Sequence, residues 1–509
     1  MPFLREAQPL MVKGIDFTVP STFLPPGHAF PQNMHYEKGE IRKRDGKSTV
    51  GGVTLGAQKI LHLFVAEDSA QSQTLFRFTK QNIEKYVSGS DTYSNVTGAD
   101  LTGAETNFFD TAVVAESDVM VSCNYVDNLR KTNLVSGGNS SDVGGAPPKS
   151  KYVEYMTPYL LIAHLIDSGT KLPWTIRWSD SGNYQKWNGG NAGSIVLSHE
   201  PSAIRALKKL GNQVMCYKEK SIYRGNAVST SAIFDFGGPF ITDEGLYAPR
   251  GIAASDGVHY FMGLNDFYIN DGVRRTSIGK AVRDHVFTRL DRALNETCFA
   301  LPVEIYKEIW FFVTISGQSW PTEIWKYRRD LDLWYFDTIA SATAAVNYKV
   351  VSSLTWDQAS GTWNDQTSFW DAQSGSADSP IQVFGFTNGI TLKRNENVVN
   401  DNGVAVAAYL ETKDFSGFQV GGREHDVEWL QMELWARGNP FKVYYSTDYG
   451  TNWNFITTVT PTATTQRYDV FFDIFSPTIR FKFENLDAGK TFTLQNFTPY
   501  YIDDGEAPF

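Results

Sequence analysis

The chain has 509 residues, and its 46 Lys and Arg against 56 Asp and Glu give a formal net charge of -10. That length exceeds what one compact core usually supports, so two or more cores, or one large radial one, are expected. The acidic balance argues against a protein that grips nucleic acid over a broad basic surface.

The N-terminus, Met1-Pro2-Phe3-Leu4-Arg5-Glu6, lacks the basic segment and apolar run of a secretory signal, so export by that route is not expected. Residues 1 to 50 carry Pro20, Pro25, Pro26 and Pro31 ahead of the basic run Arg42-Lys43-Arg44-Asp45-Gly46-Lys47. The pattern predicts an extended arm followed by a hairpin. The basic run reads first as a solvated hairpin tip, with Arg42 and Arg44 as candidate contacts to a neighbouring subunit.

From Lys59 onward a short strand-like unit recurs. It appears at Leu75-Phe76-Arg77-Phe78, Ile176-Arg177-Trp178, Ile222-Tyr223-Arg224, Phe267-Tyr268-Ile269, Ile324-Trp325-Lys326-Tyr327 and Ile390-Thr391-Leu392. The spacing is about 45 to 66 residues, except for one wide gap that leaves room for a further copy at Met120 to Tyr125. With 34 Phe, 24 Tyr, 13 Trp and 42 Gly, the chain favours strands and tight turns, and the expected fold class is all-β. A unit of several short strands near 45 residues fits a blade of a β-propeller, with six to eight blades, over residues 51 to 395. Within it, residues 134 to 151 are small and polar and read as an exposed loop. Asp256-Gly257 reads as a hairpin turn. One helix is expected from about Gly279 to Asn295, where Val282, Val286, Leu290 and Leu294 recur every four residues.

Trp356, Trp363 and Trp370 stand seven apart, which is also the heptad period. The intervening Gly361, Thr362, Asp365 and Ser368 favour turns over helix, so a loop of stacked tryptophans is expected. After a turn-rich linker at 395 to 403 the pattern becomes alternating strands, and residues 405 to 509 read as an appended C-terminal β-sandwich. The longest apolar runs, Tyr159 to Ile166 and Ile309 to Ile315, fall short of the ~20 residues that span a bilayer.

No constellation for chemistry emerges. Cys123, Cys216 and Cys298 lie far apart and read as buried apolar residues. The eight histidines show no zinc spacing, and no phosphate loop or nucleophile elbow is present, so no catalytic, cofactor or metal site is expected. Ser446-Thr447-Asp448-Tyr449-Gly450-Thr451-Asn452-Trp453 resembles the Asp-box of sialidases and other β-propellers. There Ser and Asp satisfy hairpin backbone donors, Gly takes an angle other residues resist and Trp plugs the sheet, a structural role.

The run Asn33 to Gly46, the segment Arg177-Trp178-Ser179-Asp180 with Trp187, the tryptophan triplet and the passage Gly257 to Gly279 together resemble phage tail nozzle and hub proteins. These include the packaged-DNA stabilisation proteins of short-tailed phages, and the resemblance spans most of residues 30 to 395. It implies a structural virion protein assembled in the host cytoplasm as a ring, usually of six copies, next to a portal or adaptor. Such a ring would carry a fibre or spike and would line a DNA channel without sequence-specific binding. The net negative charge suits that role, since like charge keeps DNA from sticking. In that setting Trp178, Trp187, Trp356, Trp363 and Trp370 pack blades, Asp180 belongs to the blade element with Trp178, and Asp448, Gly450 and Trp453 hold a sandwich hairpin, with Ser446 part of the same motif. The alternative is a carbohydrate-binding or glycan-cleaving, sialidase-like propeller whose exposed tryptophans stack on sugar rings. A third reading is a propeller scaffold for protein partners.

Overall fold

The computed structural model describes residues 4–5, 8–9, 13–25, 27–37, 39–227, 233–349, 380–416 and 426–502. Trp356, Trp363 and Trp370 lie outside them. The described residues form an all-β protein: a β-propeller with an appended C-terminal β-sandwich.

Seven four-stranded units follow one another around a ring, each running from an inner strand outward. Their inner strands are His62–Glu67, Asp110–Val114, Lys149–Met156, Ile204–Leu210, Ile252–Ser255, Phe299–Val303 and Ala342–Tyr348, here blades 1 to 7. Period-two patterning explains the packing. In Glu308–Val313, wholly buried in blade 6, Ile309, Phe311 and Val313 face the seam with blade 5, whereas Trp310 and Phe312 face the seam with blade 7. Each of the seven seams holds its own apolar cluster, and the sandwich holds another. Tight turns set the blade registers. Asp256 (φ 50°) and Gly257 (φ 72°) both take left-handed angles between the paired strands Ile252–Ser255 and Val258–Met262, as a two-residue hairpin loop with right-handed strand twist requires.

Most copies of the recurrent sequence unit are third strands of blades, as at Ile222–Ala227 and Glu323–Arg328, while Leu75 to Phe78 and Met120 to Cys123 lie in second strands. Two expectations need correction. Residues 134 to 151 are not all loop, because Ser141–Asp142 forms the outer strand of blade 2; two residues are too few to show a period. The helix expected over 279 to 295 is one α-helical turn and a half, Arg283–Phe287, followed by a 3-10 segment at Arg292–Thr297. The chain leaves the helix because Leu290 bridges Ile315 in a β-contact and Asp291, extended, caps the next turn by accepting from the Ala293 N–H at 3.0 Å.

The first fifty residues are stitched into three sheets. Ala29–Gln32 lies between the outer strand of blade 6 and Ala408–Thr412, so that the sheet of blade 6 runs on into one layer of the sandwich. The hairpin Met34–Glu37 and Glu40–Lys43 joins the other layer by pairing with Phe492–Ile502. Gly46–Thr49 then becomes the fourth strand of blade 7, antiparallel to Thr391–Asn395. The ring is thereby closed by a strand from the opposite end of the propeller sequence.

This placement corrects the solvated-tip reading of the basic run. Lys43, Arg44 and Lys47 are buried, and Arg44 meets Asp401 with both terminal nitrogens, at 2.9 and 2.7 Å. Lys47 reaches the same carboxylate at 3.0 Å, while Arg42 and Arg394 meet Asp45 at 2.6 and 3.0 Å. Gly46 must be glycine, because a Cβ there would stand 2.1 Å from the Asn400 carbonyl oxygen. Gly46→Ala is therefore expected to cost about 3 kcal/mol through overpacking against fixed backbone. Urea unfolding checks this, and an unchanged midpoint would show that the closing strand is not held in this register.

Candidate functional site

Inner strands from all seven blades converge on the propeller axis, and between them lies a partly open space of about 160 Å³. Its wall includes His62, Asp110, Lys151, Lys208, Arg250 and Glu296, with Phe108, Phe299, Ala344 and Ala345 supplying apolar surface. Among the described residues this is the place where ionisable side chains from several blades meet on the axis.

Arg250 dominates it. The side chain leaves the chain just before the inner strand of blade 5 and crosses toward blades 6, 7 and 1. Its Nε donates to the Glu296 carbonyl (3.2 Å), Nη2 to the Thr297 carbonyl (3.1 Å), and Nη1 to the carbonyls of Leu61 (3.2 Å) and Thr343 (2.9 Å). The guanidinium also lies over Phe108, 4.0 Å from the ring centroid, and near Phe299 at 5.4 Å. Burial lowers its pKa to about 10, which Cys298 and Glu296 oppose, so the group remains a cation at neutral pH. A planar guanidinium, with five N–H donors in a fixed fork, suits carbonyls spread over several blades.

The other charges are paired off. Lys208 meets Asp110 at 3.1 Å and Lys151 meets Glu296 at 2.5 Å. The second oxygen of Asp110 accepts from the Val153 N–H at 3.1 Å. Burial lowers the Lys208 pKa, but Asp110 and Glu154 outweigh it and the net shift is upward. His62 is driven to about 3 by burial and then by Arg250 and Lys208, so the imidazole is neutral; its Nε2 lies 3.0 Å from the Thr111 hydroxyl. Each of these ions thus has an opposite charge beside it.

The residues singled out in sequence lie elsewhere and are not brought together. Trp178 is buried between blades 3 and 4, where its Nε1–H donates to the Asn191 carbonyl at 3.0 Å and its ring meets Phe234 edge-on. Trp187 is buried in the seam between blades 2 and 3. Asp180 ties the loop between them by accepting from the N–H groups of Asn191 (2.7 Å) and Ser181 (3.0 Å) and from Lys186 (2.6 Å). Those contacts, Lys186 first, hold its carboxyl below the usual range.

In the sandwich, Ser446 donates to Asp448 at 2.6 Å and accepts from the Gly450 N–H at 2.9 Å, while Asp448 accepts from the Asn452 N–H at 2.9 Å. Asp448 is held down to about 2, chiefly by the Ser446 hydroxyl. Gly450 sits at φ 85°, where other residues are strained. Trp453 is half-buried, with the Lys482 ammonium 5.5 Å from its ring, rather than inside the sandwich core. Arg42 is partly exposed; Arg44 is enclosed by Asn33, Asp401 and Asp337 of its own chain. Sequence reasoning missed Arg250, Asp110, Lys208 and Asp401, because nothing in their spacing records that the ring brings them together.

No protein-family model matches the chain, and no curated protein matches it. Among solved structures it is similar to one described as the structure of U3-55K, with TM-score 0.39 and 8% identity over 69% of this chain and 98% of that one. It is also similar to one described as the crystal structure of RRP9 WD40 repeats, with TM-score 0.40 and 8% identity over 69% of this chain and 99% of that one. Their descriptions name U3-55K and RRP9 WD40 repeats and not phage tail proteins, so the resemblance to tail nozzles and hubs is not upheld. The six-copy ring, the portal, adaptor, fibre or spike neighbours, the DNA channel and the virion location fall with it. The glycan-binding or glycan-cleaving alternative is not favoured either: Trp178 and Trp187 are buried and offer no ring face to a sugar, and Trp356, Trp363 and Trp370 lie outside the described residues. No described helix is long and apolar enough to cross a membrane, and no described group of His, Cys, Asp and Glu could hold a metal ion.

Two measurements probe the charge clusters. Arg250→Met removes the donor from four partly buried carbonyls and is expected to cost about 3 kcal/mol, with Arg250→Lys recovering only part, since an ammonium lacks the planar reach. Equal stability of Arg250→Met and wild type in urea melts would remove the bridging role. The second concerns Asp401, whose burial raises its pKa while Lys47 and Arg44 lower it further, for a net depression below 3.8. Its stabilisation is therefore full above about pH 4 and is lost as pH falls toward the folded pKa. Asp401→Asn is expected to lower the melting temperature at pH 7 and to flatten its decline below about pH 4. Parallel pH profiles for the two proteins would contradict this.

Proposed function

We propose that this chain is a non-enzymatic scaffold: a rigid propeller, joined through a shared sheet to a β-sandwich, that holds partner proteins on its outer surfaces. The observation that supports this most directly is the axis. In propellers the axis is where ligands and catalytic groups gather, and here Arg250 closes it with four carbonyl contacts while each neighbouring ion has an opposite charge beside it.

Among the exposed large apolar side chains, Phe471 and Phe475, 72% and 69% exposed, stand on one strand of the sandwich. Exposed aromatics of that size on a rigid frame are the usual makings of a protein-docking surface. Assay of the full chain against nitrophenyl esters and nitrophenyl phosphate is expected to give no turnover above buffer. Turnover that disappears in Asp110→Asn or Lys208→Met would overturn the reading.

A further inference from the structure

Resting on the scaffold reading, we infer that the open edge of the sandwich, strand Gln466–Ser476, takes an extended, net-basic segment of a partner protein as an added strand. Four observations lead there. First, this strand pairs on one side with Val427–Gly438 and ends its sheet, so among the described residues its other edge presents unpaired backbone donors and acceptors. An unpaired edge specifies an extended backbone as its complement.

Second, the edge is bordered by a groove of about 410 Å³ toward Asn454–Val459, the terminal strand of the other layer. Thr457, Val459, Tyr468 and Val470 are among its lining residues. Alternate side chains of an added strand would enter this groove, which suits small β-branched residues. Third, the outward face carries Phe471 and Phe475, with Trp435 a strand away opposite Arg467. Side chains with long aliphatic stems would cover these rings.

Fourth, the charge around them is acidic. Asp469 stands opposite Glu433, and Glu428 stands opposite Phe475, with Asp473 exposed on the edge strand itself. The one cation of the edge strand, Arg467, is engaged by Asp469 at 3.0 Å and by Glu433 at 3.4 Å, and Arg437 on the neighbouring strand is engaged by Glu40. A cationic occupant is favoured, and a second copy of this chain is disfavoured, because it would bring the same acidic excess against itself. A register shift where Trp429 and Gln431 meet the strand interrupts the ladder near Phe472 and Asp473, which confines the added pairing to Gln466 through Phe471. The partner segment is thus one that alternates Lys or Arg with Val or Thr.

The test uses the full chain and three fluorescent peptides: one alternating Lys and Val, one of the same composition with its Lys and Val in separate blocks, and one alternating Glu and Val. The alternating Lys peptide is expected to bind at least about tenfold more tightly than either of the others. Its affinity should fall by a similar factor in the Phe471→Ser, Phe475→Ser double variant and severalfold in Asp469→Asn, Asp473→Asn. Bound peptide should also slow amide exchange at 466 to 471. Equal binding of the block peptide, or no protection at 466 to 471, would discard the proposal, and so would self-association of the chain that the double serine variant abolishes. Peptide failure with an inert Asp110→Asn control leaves the scaffold reading standing, whereas turnover that depends on Asp110 removes that reading and not the edge.

Discussion

The closure of the ring at the seam between blades 7 and 1 is the constraint on which the rest of the molecule depends. Six seams join blades that follow each other in sequence, so their loop-closure cost is small; the seventh must bring together segments more than three hundred residues apart. Three devices hold it. Gly46–Thr49 completes blade 7 from outside, and Arg250 fastens the inner end by reaching Leu61 before blade 1 and Thr343 in blade 7. Arg77 of blade 1 fastens the middle: it meets Glu84 at 2.6 Å, the Gly52 carbonyl at 2.7 Å and the Thr391 hydroxyl of blade 7 at 3.2 Å, with its guanidinium 3.6 Å from the Tyr93 ring. Buried ions are costly unless each partner is present, so these clusters are stable only in the closed ring.

Much of the fold was legible because it rests on local signals. Alternating apolar residues and Asp-Gly turns mark strands in any context, and a repeat near 45 residues marks blades even when its copies drift. The blade count was less legible. The seventh blade draws its outer strand from residues 46–49, and a four-residue strand carries no statement of what it will pair with. The same limitation explains the misread basic run. Arg42 to Lys47 has the composition of a solvated turn, and only the distant Asp401 and Asp337 make its burial possible. The helix over 279 to 295 failed for a related reason: Val282, Val286 and Leu290 are indeed buried, but Leu290 is buried by a bridge to Ile315, a contact no local period predicts.

The candidate site was almost wholly illegible. Motif reasoning found residues that act on their own neighbours, such as Ser446 with Asp448 and Gly450, because a hairpin is written in consecutive positions. The axis is assembled from two or three residues per blade. Asp110 and Lys208 are nearly a hundred positions apart, and Arg250 meets partners on both sides of that interval. Trp178 and Trp187 lie between blades, where a large ring fills a wide seam.

The join between propeller and sandwich decides what kind of work such a molecule can do. Were the two linked by a flexible tether, closure of one over the other could build a transient site at their interface. Here the sheet of blade 6 continues through Ala29–Gln32 into Ala408–Thr412 and the sandwich beyond, and Asn33 donates from its side chain to the Thr338 hydroxyl at 2.8 Å and the Ala407 carbonyl at 2.7 Å. A hinge at this point would break a ladder and expose Arg44, Lys47 and Asp401 together, a cost that falls on several buried ions at once. The two bodies therefore keep one orientation, and the sandwich edge is presented at a fixed place relative to the propeller. A frame of this kind has little capacity for induced fit, and under the proposed scaffold reading recognition would fall to the exposed strand and rings at its rim and not to the axis.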